Sequence, residues 1–235
     1  MNIILASLLL FTIQAVAQPL QLDMGVFAQR REAFMKQLVP GGLALFPCKP
    51  EYTRNGDVDY DYRQESNYYY LTGFEEPESI VLLNPSATKH KYILYVRNRD
   101  LLAETWIGSR AGMEGAVGMF RADTAILFSD FQKSVPSLIP NAGTLYYMFG
   151  TNPKIDDRVR MMFLDRQDGN NWPVTNPAPI LAEMRLIKND ADWKMGLQKA
   201  IDISAQAHVE ALKAIKPGMY EYEIQAVFEH TYRKN

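Results

Sequence analysis

The chain has 235 residues, 47% hydrophobic and 22% charged, and its 25 Lys and Arg against 27 Asp and Glu leave a formal charge of −2. That is globular composition, which excludes a disordered or fibrous chain. The absence of a basic surplus leaves no electrostatic footprint for nucleic acid. A single cysteine, Cys48, rules out an intrachain disulfide and a cysteine-based zinc site. In the run Leu45-Phe46-Pro47-Cys48 it reads as a small core hydrophobe.

Residues 1–17 read as a secretory signal, because the apolar stretch from Ile3 is too short to span a bilayer comfortably and Ala15-Val16-Ala17 offers a small-x-small cleavage site before Gln18. A buried amino-terminal helix is the competing reading. The expected product is exported, periplasmic or extracellular, with no membrane attachment after cleavage. Asp23 to Leu38 then carries Met24, Phe27, Phe34, Met35 and Leu38 near helical spacing, ended by Pro40-Gly41-Gly42.

Strand-length apolar runs follow at Leu43–Phe46, Tyr68–Leu71, Ile80–Leu83 and Tyr92–Val96, rich in aromatic and β-branched residues. Residues 79–84 and 91–96 read as a hairpin. A helical patch near 112–120 precedes strand candidates at Ala125–Phe128 and Thr144–Phe149, and helical spacing returns at Ile155, Val159, Met162 and Phe163. The proline-rich stretch Trp172–Pro179 reads as a linker. Beyond it, Asn189 with Asp192 three residues on marks a helix start. Trp193, Leu197, Ile201, Ala207, His208, Ala211, Leu212 and Ile215 form a long stripe closed by Pro217-Gly218. A second helix carries Glu221, Glu223, Ile224, Phe228 and Glu229. The organisation expected is a signal over 1–17, an α/β domain over 18–176, and a linker with helices over 177–235.

Catalytic patterns are sparse. His90, His208 and His230 form no H-E-x-x-H helix, and His208, on the apolar side of its helix, reads as a packed core residue. Glu210, Glu229 and His230 are fallback ligands only. Asp57-Val58-Asp59-Tyr60-Asp61 begins like a calcium loop, but Tyr62 stands where glycine must turn the chain and Tyr68 where the bidentate glutamate belongs. A strand edge or turn with solvated carboxylates is the better reading.

Arg54-Asn55-Gly56-Asp57, then Tyr62-Arg63-Gln64-Glu65-Ser66-Asn67-Tyr68-Tyr69-Tyr70-Leu71-Thr72-Gly73-Phe74 and Glu76-Pro77-Glu78, closely resembles the amino-terminal domain of aminopeptidase P, the Xaa-Pro aminopeptidases. Glu104-Thr105-Trp106-Ile107-Gly108-Ser109-Arg110-Ala111-Gly112 resembles that family's W-x-G-x-R-x-G segment. Glu183–Lys188 and Pro217–Glu221 resemble the opening of its pita-bread catalytic domain. Prolidase and creatinase are similar more loosely.

The resemblance implies a mixed sheet flanked by helices, of the creatinase amino-terminal type, followed by the first helices of a truncated pita-bread domain. It implies a homo-oligomeric metallopeptidase that cleaves the bond between an amino-terminal residue and proline, which the signal reading makes an exported one. In the family two divalent ions, usually manganese, are held by carboxylates and a histidine beginning at a D-x-G segment past the P-G-M helix. No such segment occurs here, so the chain by itself is expected to hold no metal and to be inactive. Trp106 is a candidate for closing a neighbouring subunit's pocket or for interface packing. Arg54, Asp57, Arg63 and Gln64 are expected to anchor the turn before Tyr68. The alternatives are a non-catalytic assembly or peptide-binding module, or a prolidase-type dipeptidase.

Overall fold

In this computed structural model the described residues are 23–139, 143–166, 169 and 171–235. The expected signal segment, 1–17, lies outside them. The chain forms two compact units, one spanning Leu22–Lys188 and one whose described part is Asn189–Asn235.

In the larger unit, α1 (Met24–Met35) starts where Asp23 accepts the Gly25 N–H at 2.9 Å. Its inward face holds Phe27, Arg30, Arg31 and Phe34. The two arginines are tolerated inside because aromatic faces and carbonyls receive them. Arg30 lies 4.2 Å from the Tyr70 ring centroid, Arg31 3.9 Å from that of Tyr92, and they donate to Tyr70 O at 3.2 Å and Leu71 O at 2.8 Å.

Strand β1 (Gly42–Pro47) is buried along its whole length. The exposed hairpin β2 (Thr53–Asn55) and β3 (Val58–Asp59) stands apart from the main sheet, its turn at Gly56 and Asp57. The carboxylates of the calcium-like run therefore sit on a solvated turn and strand edge.

The main sheet adds β4 (Ile80–Leu83), β5 (Tyr92–Val96), β6 (Thr124–Leu127), β7 (Thr144–Tyr146) and β8 (Val174–Thr175) in the order β6-β5-β4-β1-β7-β8. It is mixed. Strand β4 runs antiparallel to β1 and β5, with Leu82 opposite Leu45 on one side and Ile93 on the other, whereas β7 is parallel to β1 and β6 to β5. Helices cover both faces, which is why β1, β4 and β5 read as continuous apolar runs. Phe34, Phe74, Phe131, Val135, Ile155, Val159, Phe163 and Leu181 pack into the same core. Cys48 is buried among them.

Two expectations change here. The tyrosine run is not a strand but helix α2 (Ser66–Thr72). Glu65 caps it by accepting the Asn67 and Tyr68 N–H groups, both at 2.8 Å, and Gly73 closes it at φ +68°. Tyr68, Leu71 and Thr72 are buried, a spacing of three and four that outweighs the strand propensity of the aromatics. The strand expected to reach Phe149 ends at Tyr146.

The proline-rich stretch lies within the larger unit. Trp172 is buried edge-on to Phe163, and β8 lies on the sheet margin, accepting through Pro173 O from Leu145 N at 2.9 Å and through Thr175 O from Tyr147 N at 3.0 Å. Proline is compatible with such a margin because only carbonyls are asked of it.

The smaller unit starts with a reciprocal cap: Asn189 accepts from Asp192 N at 2.8 Å and Asp192 from Asn189 N at 3.1 Å. A π turn (Asp192–Leu197) leads into a long helix (Gln198–Ala214), and a final helix (Glu221–Lys234) packs against it where Ala207, Ala211 and Thr231 are buried. The core-histidine expectation is corrected here. His208 is exposed, set edge-on at 4.9 Å to Phe228, because the buried seam runs through the alanines.

Candidate functional site

The four residues expected to anchor the Tyr68 segment do not converge. Arg54 and Asp57 project into solvent from the hairpin, and Arg63 only reaches Ser66 Oγ at 3.2 Å. Gln64 does the anchoring alone. Buried in front of α2, it accepts through Oε1 from Lys49 N at 3.0 Å and Glu65 N at 2.9 Å, and donates to Glu76 O at 3.3 Å. One neutral amide thus ties the end of β1 to the start of α2. Its neighbours in the motif gave no sign which of them would turn inward.

The segment carrying Trp106 is braced from both ends. Asp100 caps helix α3 (Leu101–Ile107) by accepting from Leu102 and Ala103 N–H, each at 3.1 Å. Arg99 grips Glu104 with two bonds of 3.1 and 2.8 Å. That bidentate contact holds the Glu104 carboxyl down to about 2. Gly108 at φ +87° ends the helix, and Gly112 at φ +60° opens α4 (Gly112–Gly118) against the Arg99 side chain, where a Cβ would meet Cγ at 2.6 Å.

Glu76, from the loop before β4, accepts the Ala111 N–H at 2.6 Å and lies 3.6 Å from Arg97. The motif Glu76-Pro77-Glu78 gives no local sign of this partner 35 residues away. On this frame Trp106 is 87% exposed, with Leu101, Leu102 and Ile107 exposed beside it. An apolar helix face held in place by charged bonds is suited to contact a partner surface rather than to perform chemistry.

Residues 27–147, just over half of the chain, match the family described as Aminopeptidase P, N-terminal domain. The chain belongs to that family. Residues 195–235 match metallopeptidase family M24. The Xaa-Pro aminopeptidase of Escherichia coli K12 is 34% identical over 216 residues, covering 89% of this chain and 49% of that protein. The structure of aminopeptidase PepP from Pseudomonas aeruginosa matches with a TM-score of 0.85 at 35% identity, over 92% of this chain and 50% of that one. Aminopeptidase P from E. coli in its low-pH form matches with a TM-score of 0.83 at 32% identity, over 91% and 50%. The chain spans about half the length of the relatives it matches.

A metal centre of the kind the M24 match implies does not fit the side chains present. Among the described residues no group of three or more His, Cys, Asp or Glu is placed to hold an ion. Glu210 and His230 line one groove between the last two helices, but Lys213 and Lys234 line it as well, and Lys213 pairs with Glu210 at 2.9 Å. Glu229 accepts from Gln225 at 2.7 Å. The site that can be built here is therefore the braced α3–α4 segment of an aminopeptidase P amino-terminal domain.

Proposed function

We propose that this chain is the amino-terminal portion of an exported Xaa-Pro aminopeptidase, which hydrolyses the peptide bond between an amino-terminal residue and proline. The reading rests on one observation above all: an aminopeptidase P amino-terminal match and an M24 match occur in that order along one chain. Two divalent ions, manganese by family resemblance, would be held by carboxylates and a histidine supplied by the remainder of an M24 domain. Such a pair, when bound, would supply an activated water as nucleophile and Lewis-acid polarisation of the scissile carbonyl. The 235 residues alone are then inactive.

In the whole enzyme the exposed face of α3 serves self-association, and Trp106 either packs there or closes a neighbouring subunit's pocket. Export is supported by the apolar stretch and the Ala15-Val16-Ala17 site. The second reading, a non-catalytic assembly module, is favoured by the same exposed apolar face.

The test is a calorimetric manganese titration beside a Xaa-Pro peptide assay, on the 235-residue chain and on a protein carrying a complete M24 domain. The expected result is tight binding and hydrolysis by the longer protein only. Inactivity of both would favour the module, and stoichiometric binding with hydrolysis by the 235 residues would overturn the division of labour. In the active protein, Trp106→Ala lowers turnover with metal retained if the ring closes a pocket, and weakens association if it is interface packing.

A further inference from the structure

A cleft of about 530 Å³ lies between α1 and the start of β5, within the larger unit and away from the Trp106 segment. Its size is that of a small-molecule site. Arg31, Lys36, Lys91 and Arg121 line it against two carboxylates, Glu32 and Asp123. Asp123 is already engaged, accepting the Tyr92 N–H at 2.9 Å. The cations come from separate parts of the chain, so their convergence belongs to the fold and not to a local charge run.

Two groups in this cleft lack what burial ordinarily demands. Arg31 is only 4% exposed, yet among the described residues no carboxylate lies within ion-pair distance of it; Leu71 O and the Tyr92 ring touch it, while Asp123 and Glu32 act on it only at longer range. Buried charges are normally paired, because desolvation without a counter-charge is costly. Tyr92 is 3% exposed, and its hydroxyl has no hydrogen-bond partner among the described residues. A buried cation with no anion in direct contact and a donor without an acceptor both line this cleft. Both deficits are met by one kind of ligand.

We propose that this cleft binds a small organic anion, a carboxylate or phosphate ester, with its charged group toward Arg31 and the rim cations and its apolar part against Met35 and Tyr92. Inorganic phosphate meets the charge but leaves the apolar wall unused, so an anion with a hydrocarbon body binds more tightly. The proposal is independent of any metal chemistry in the M24 portion.

The experiment is an NMR titration of the whole chain with benzoate, phenyl phosphate and inorganic phosphate in parallel. Benzoate or phenyl phosphate should perturb the amides of Ala28, Arg31, Tyr92 and Asp123 saturably, with inorganic phosphate weaker, and the stronger of the two tells carboxylate from phosphate. Lys91 and Arg121 are exposed, so the K91A/R121A variant should keep the fold and weaken binding about tenfold, as expected when charge-assisted contacts are lost. Tyr92→Phe should weaken it too, and Lys154→Ala, on exposed helical surface elsewhere, should not. No saturable perturbation by any of the three anions, shifts spread evenly over surface lysines, or unchanged affinity in K91A/R121A would each overturn the proposal.

Discussion

The Glu76 carboxylate accepts the Ala111 backbone N–H at 2.6 Å across 35 residues of sequence. This bond fixes where the loop after α3 turns back toward the sheet, and with it the direction in which Trp106 faces out. Glu76 is mostly buried, with Arg97 as its counter-charge. Replacing it by Ala leaves an unpaired N–H and a largely buried guanidinium, which should cost about 2–3 kcal/mol in denaturant unfolding. Faster amide exchange across 111–116 should accompany it. An unchanged midpoint would mean that the segment is braced by Arg99 and Glu104 alone.

Gly73 gives a sharper test of the core. At φ +68° it closes α2, and a Cβ there would lie 2.8 Å from the Phe27 ring. Left-handed strain of about 1–2 kcal/mol adds to overpacking of about 1–3 kcal/mol. Gly73→Ala should therefore lose roughly 2–5 kcal/mol, read from chemical denaturation, whereas Gly56→Ala, with open space around it, should show only the backbone part.

The pair of Arg99 and Glu104 gives the α3 segment an acid dependence. The folded carboxyl is depressed to about 2, so the stabilisation is present above the unfolded value, near 4.3, and is lost as pH falls toward 2. A carbon-detected titration of Glu104 should have its midpoint near pH 2, and in Arg99→Ala it should rise toward the ordinary glutamate range, held partly down by the Asp100 N–H bond. A midpoint near 4 in the unsubstituted protein would show that the two bonds are not held in solution.

Cys48 should be silent toward thiol reagents until the domain unfolds. Its Sγ accepts the Ser79 N–H at 3.2 Å inside the core, and burial pushes the thiol up. Above about 8.5 the unfolded thiol ionises while the folded one resists, so stability falls as pH rises. Modification kinetics with and without denaturant will show this, and rapid labelling of the native protein would contradict the buried placement.

The strands β1, β4 and β5 were legible in the sequence because sheets covered on both faces require unbroken apolar runs. The tyrosine run misled for the same reason in reverse. Aromatics favour strands on average, but the Glu65 cap and Gly73 supply two specific termini, and those decide a seven-residue element. Nothing local to Arg30 and Arg31 announces that Tyr70 and Tyr92, distant in sequence, will receive them. For the candidate site, Trp106 and Gln64 could be singled out by their motifs, though not that Gln64 alone of its four would turn inward, whereas Glu76 acts on a backbone group 35 residues along the chain. Spacing within a motif carries no record of such partners.

Strand β1 has its two neighbours in very different parts of the chain, with Ala44 opposite Leu83 on one side and Tyr146 on the other. During synthesis the second neighbour follows about 100 residues later, an interval of roughly 5–20 s at ordinary elongation rates. Through that interval a strand that ends up buried along its whole length is made with one hydrogen-bonding margin open. A nascent-chain chaperone or a translocation partner acting then would meet an extended, adhesive segment, and the sheet could close only after Thr175 had followed it out.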